Sequence, residues 1–145
     1  MQPSAILKGI LFCILVYCAY TDVRKRKIYN YITIPGIAAG LLLNAWLYPD
    51  GGLSSAAAGA AAVLLGGAVF VLLKGIGCGD LKLLVCIASF MGLFYTLGML
   101  FVTSIATLLY VLVVLITKKN QTIPLALFLL VGFGLYELGF LFFAF

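Results

Sequence analysis

A chain of 145 residues that is 66% hydrophobic and 9% charged, with nine Lys and Arg against four Asp and Glu, is excluded as a soluble globule, because no core of this size could absorb so much apolar surface. A spanning helix takes roughly 20 mostly apolar residues, so residues 1–145 read as one all-α, polytopic transmembrane domain of about six helices, with no soluble domain. The lack of histidine removes the commonest general base and metal ligand, which leaves acid–base chemistry to four carboxyls: Asp22, Asp50, Asp80 and Glu137.

Hydropathy predicts a first helix over about Ser4 to Thr21, closed by the charged run from Asp22 to Lys27. No small-residue cleavage site precedes Arg24, so this reads as a retained helix and not a signal peptide. A second helix is expected over about Tyr31 to Tyr48, with Pro35 tolerated in its first turn and Trp46 and Tyr48 as interfacial belt residues. The turn Pro49-Asp50-Gly51-Gly52 leads to a third, over about Leu53 to Leu73, whose Ala and Gly residues suit close helix packing. It runs into Lys74-Gly75-Ile76-Gly77-Cys78-Gly79-Asp80, which is too rich in glycine to read as regular helix.

Leu81 to Thr117 is apolar for longer than one crossing needs, so the expected break lies near Tyr95 to Gly98, between a fourth and a fifth helix. Lys118 to Gln121 reads as a polar loop, and Pro124 to Phe145 as a sixth helix with a lipid-facing aromatic end. The basic residues check this count. Arg24, Lys25, Arg26, Lys27, Lys74, Lys82, Lys118 and Lys119 are eight of the nine. Six crossings place all eight on one face, which the Lys and Arg excess makes cytoplasmic; both termini are then non-cytoplasmic.

Cys13, Cys18, Cys78 and Cys86 lack the C-x-x-C pairing of a zinc or redox site and read as small apolar fillers. No metal, cofactor or nucleic-acid partner is expected. Under the six-helix reading Asp22 ends the first helix and Asp80 precedes the fourth, so both reach one membrane boundary. An acid there is expensive and points to a function. Two close carboxyls cannot both ionise cheaply, so one keeps a proton, and such a pair can activate water. Each also has a structural reading: Asp22 as a helix-end charge offset by Arg24 and Arg26, and Asp80 as a cap accepting backbone N–H bonds. Glu137, midway along the sixth helix, is expected to be protonated and bonded to Tyr136 or a facing helix.

Gly77-Cys78-Gly79-Asp80-Leu81-Lys82-Leu83 reads G-x-G-D-x-K-L and resembles the signature of the type IV prepilin peptidases. Asp22-Val-Arg24-Lys-Arg-Lys-Ile28-Tyr29-Asn30 is similar to that family's D-x-R-x-x-x-I-P-N, with Tyr29 in place of proline, and Ile123-Pro124 resembles its I-P pair before the last helix. The resemblance implies an intramembrane aspartyl endopeptidase of the prokaryotic inner membrane. It implies Asp22 and Asp80 as the catalytic pair, with Gly77, Gly79, Lys82, Arg24 and Asn30 in support, and a pilin-like precursor with a basic leader as substrate. The ten-residue link between the first two helices has no room for the paired-cysteine loop of the larger bifunctional members. The chain therefore resembles the short Flp-type, tight-adherence pilus peptidases, without methyltransferase activity. A different class of reading is a small proton- or cation-coupled transporter or channel subunit using the same acids. Because both acids adjoin flexible segments, the pair is expected to sit loosely without substrate.

Overall fold

The computed structural model describes residues 5–25, 29–73, 77–117 and 125–143, and these form six helices. They are α1 Ala5–Lys25, α2 Asn30–Leu47, α3 Gly52–Leu72, α4 Cys78–Met91, α5 Leu93–Thr117 and α6 Leu125–Phe143. Four of them, α1, α2, α3 and α5, are long and apolar enough to cross a membrane. The all-helical expectation holds among the described residues.

Each outer helix turns a narrow stripe inward. On α1 it is Leu7, Leu11, Leu15 and Cys18, all essentially inaccessible, at the spacing of one helical face. Asp22 continues the same stripe one turn further on. On α2 the stripe is Thr33, Gly36, Gly40 and Asn44, and on α3 it includes Ala56, Ala60 and Val63. α4 is the centre of the bundle and touches every other helix; from Leu83 to Met91 every residue is buried.

The small residues of α2 set how close that helix comes to the centre. A side chain built at Gly36 would meet Cys86 Sγ at 2.9 Å, and one at Gly40 would meet Ser89 Oγ at 2.5 Å and Phe90 Cδ2 at 2.8 Å. Backbones approach this closely only where side chains are missing.

The chain turns from α4 into α5 at Gly92, with φ +78°, a left-handed conformation that glycine adopts without a Cβ penalty. The expected break at Tyr95 to Gly98 is therefore corrected: those residues lie inside α5. A uniformly apolar stretch carries no hydropathy signal for a one-residue corner.

The last carbonyls of α4 have no partner within their own helix, and here they are buried. Asn44 answers them from α2: its Nδ2 lies 3.0 Å from Ser89 O and 3.1 Å from Phe90 O, and 3.0 Å from its own Gly40 O. An Asn44→Leu protein should lose about 1–3 kcal/mol of stability, the cost of leaving buried carbonyls unpaired. Thermal unfolding in detergent would measure it.

Candidate active site

The last turn of α1 and the first turn of α4 meet at one end of the bundle, and they carry Asp22 and Asp80. Asp22 lies within α1, not after it, since the helix runs on to Lys25. Asp80 likewise lies in the first turn of α4 and not in a loop. The glycine-rich segment was expected to resist helix, but of its described residues only Gly77 stays outside, and Cys78, Gly79 and Asp80 are helical. Gly77 is the cap residue, in extended conformation with φ −71° and ψ 146°, and Leu81 N–H donates to Gly77 O at 3.1 Å to close the first turn.

Asp80 thus stands three residues past the cap, where a side chain can reach back to the cap's backbone N–H. Its carboxyl is half-buried. Burial, and after it the neighbouring Asp22 charge, push Asp80 above the usual carboxylate range, while the Gly77 backbone N–H acts the other way by favouring the charged form. The two acids are near enough for one to feel the other's charge, yet no hydrogen bond joins them among the described residues. A Cβ at Gly77 would sit 3.1 Å from Asp80 Oδ2. The glycine therefore leaves room for the carboxylate itself.

Asp22 is held from an element that the two motifs do not include. Its Oδ2 accepts a 3.0 Å hydrogen bond from the backbone N–H of Ala126, in the first turn of α6. A helix start offers unpaired donors and a partial positive charge, so it is a natural partner for an acid. The only forewarning in the sequence is Ile123-Pro124, which lies outside the described residues, as do Ile28 and the basic residues Arg26, Lys27, Lys74, Lys118 and Lys119.

The supporting residues divide. Lys82 Nζ donates to Asn30 Oδ1 at 3.0 Å, tying the start of α4 to the start of α2. This joins the second half of one motif to the end of the other. Arg24 lies over the Tyr20 ring, 5.3 Å from its centroid, and Lys25 over Tyr29 at 5.7 Å. Cys18 and Cys86 are buried and Cys13 and Cys78 exposed, all free thiols, so only two of the four fill the core.

Glu137 finds its partners on facing helices and not in Tyr136. It is ion-paired with Lys8 of α1 at 2.7 Å and accepts a hydrogen bond from Tyr95 of α5. Tyr136 packs edge-on against Tyr95 instead, with centroids 4.8 Å apart. This cluster ties α1, α5 and α6 at the end of the bundle away from Asp22. Lys8→Met alone should destabilise the protein more than Lys8→Met with Glu137→Met, because the single change leaves a largely buried acid without its basic partner. Thermal unfolding of both variants is the check.

Residues 9–112 match the model of the type IV leader peptidase family. No curated protein and no solved structure matches the chain.

Proposed function

From the chain's membership in the type IV leader peptidase family, we propose that this membrane peptidase is an aspartic endopeptidase whose working pair is Asp22 and Asp80. The observation that carries the reading is the meeting of these two acids, 58 positions apart in the chain, closely enough for the Asp22 charge to act on Asp80. One carboxylate and one carboxylic acid side by side are what uncatalysed peptide hydrolysis lacks.

The charged carboxylate takes a proton from a water molecule as the water oxygen bonds to the peptide carbonyl carbon. The acid passes its own proton to the carbonyl oxygen, giving a neutral tetrahedral diol. The first carboxyl then gives its newly gained proton to the departing nitrogen as the C–N bond breaks. One diol hydroxyl returns a proton to the second carboxylate, leaving a carboxylic acid product and restoring the pair. No covalent intermediate forms.

The substrate in this reading is a pilin-like precursor, cut between its basic leader and its apolar helix, at the cytoplasmic face of a prokaryotic inner membrane. Two features support that face: the Lys and Arg excess around the acids, and the gathering of Asp22, Asp80 and the start of α6 at one end of the bundle. Cleavage proceeds without amino-terminal methylation. The purified protein in lipid should release the leader from such a precursor, and mass spectrometry of the products would locate the cut. Intact precursor after prolonged incubation would count against the reading. A cysteine placed at Lys119 should be labelled from the cytoplasmic side; labelling from outside alone would reverse the orientation.

A further inference from the structure

The residues that match the family end at 112, whereas the described part of α6 begins at Leu125. The segment that touches Asp22 therefore lies beyond the matched region. Asp22 Oδ2 is 3.0 Å from the Ala126 nitrogen, an ordinary length for an N–H to oxygen bond, and Ala126 itself is fully buried. An amide N–H can only donate, so it fixes one particular oxygen of the carboxyl. Oδ1 has no hydrogen-bond partner among the described residues, and it is the atom left to address water.

We propose that α6 is a working part of the site and that the Ala126 backbone N–H is its positioning group, holding the Asp22 carboxyl so that Oδ1 serves the reaction. The proposal rests on the peptidase reading above.

Among the described residues, no side chain at the α6 end does this work. The charged and titratable groups on the elements around Asp22 include Cys18, Arg24 and Lys25 on α1, Tyr29 and Tyr31 at the start of α2, and Asp80 and Lys82 on α4, with the phenols of Tyr17 and Tyr20 on α1 and the thiols of Cys78 and Cys86 on α4. Arg24 lies over Tyr20, Lys25 over Tyr29, and Lys82 on Asn30; Tyr31 shares a hydrogen bond with Tyr17. The described first turn of α6, Leu125 to Phe128, carries no side chain that can donate a hydrogen bond, so its contribution to Asp22 comes from the backbone.

The deciding experiment removes the N–H and keeps the side chain. Lactic acid incorporated in place of Ala126 converts that amide to an ester while keeping the methyl side chain. The ester protein should fold, keep the wild-type KM and lose roughly 10-fold or more in kcat, as expected for a hydrogen bond to a charged group. A kcat within about two-fold of wild type would overturn the proposal. Ala126→Pro, which deletes the same donor at a helix start where proline is tolerated, should behave alike, and Ala126→Gly, which keeps the donor, should retain most of the rate. Independently of turnover, the 15N-labelled Ala126 amide proton should move upfield on Asp22→Ala; an unmoved resonance would show that the contact does not exist. Wild-type cleavage of the precursor judges the peptidase reading separately, so its failure and the failure of this proposal are told apart.

Discussion

Asp22→Asn and Asp80→Asn, each alone, are expected to lower leader cleavage by about 1,000-fold or more. The expectation comes from a two-carboxyl mechanism, in which proton transfer to and from water cannot be shared out to another group once one member is lost. No histidine exists to substitute. Asp50 provides the control: it sits exposed in the turn between α2 and α3, and Asp50→Asn should cleave like wild type. Cleavage rates of the three purified variants against one precursor make the measurement, and near-normal turnover by either dyad variant would sink the proposed chemistry.

Asp80→Asn should also separate activity from stability. Burial and the Asp22 charge raise Asp80 in the folded protein, while in the unfolded chain it has its ordinary value. Above that ordinary range, charging Asp80 costs more in the fold than out of it, so the wild-type acid destabilises the fold as pH rises. At acid pH it is protonated in both states and the difference vanishes. The Asn variant should therefore unfold at a higher temperature than wild type at neutral to alkaline pH and at a similar temperature in acid. An acid held below its ordinary range would give the opposite trend.

A large structural effect is expected at Gly40. A Cβ there would meet Ser89 Oγ at 2.5 Å and Phe90 Cδ2 at 2.8 Å, and also the Ser89 backbone carbon at 3.0 Å. The first two could turn aside at a cost, but the third belongs to the buried central helix and has nowhere to go. Gly40→Ala should lose about 1–3 kcal/mol, the usual range for an overpacked core. Gly40→Leu, with three further carbons in the same space, should yield little folded protein. The monodisperse fraction after detergent extraction reads both. Wild-type behaviour of Gly40→Leu would mean that α2 and α4 are not packed as described.

How far these features can be read from the chain depends on whether their signal is local. The helical class comes from apolar content alone. The ends of α1 and α3 are marked by charge and glycine, and the observed boundaries fall within a few residues of those expected. The corner at Gly92 has no such mark: it is one glycine among apolar neighbours, and Gly98, which is helical, looks no different. Asp22 and Asp80 were legible as candidates because each belongs to a recognisable local pattern. Their placement inside helices was not, since a glycine-dense stretch looks irregular until Gly77 is seen to cap α4.

Contacts between distant helices were the least visible. Asn44 looks like an ordinary polar residue in α2 until α4 presents its bare carbonyls. Lys8 reads as a terminal charge and Glu137 as an acid with a partner not specified beyond Tyr136 or a facing helix, and only the antiparallel packing of α1 and α6 brings them together. Lys82 and Asn30, each noticed as part of its own motif, were not predictable as partners. Ala126 offers no side-chain signal at all, because what it contributes is a main-chain hydrogen.

The inward stripe of α1 has a consequence for which changes of length the chain can bear. Leu7, Leu11, Leu15, Cys18 and Asp22 stand on one line, and each residue added to an α-helix rotates everything beyond it by about 100°. A single insertion or deletion between Leu7 and Asp22 would either drag the leucines into lipid or swing the acid away from its neighbour. Growth or shrinkage of this helix is thus permitted only in steps that restore the angle, near seven or eleven residues, so the spacing between the amino-terminal leucines and the first acid is fixed by rotation as firmly as by distance.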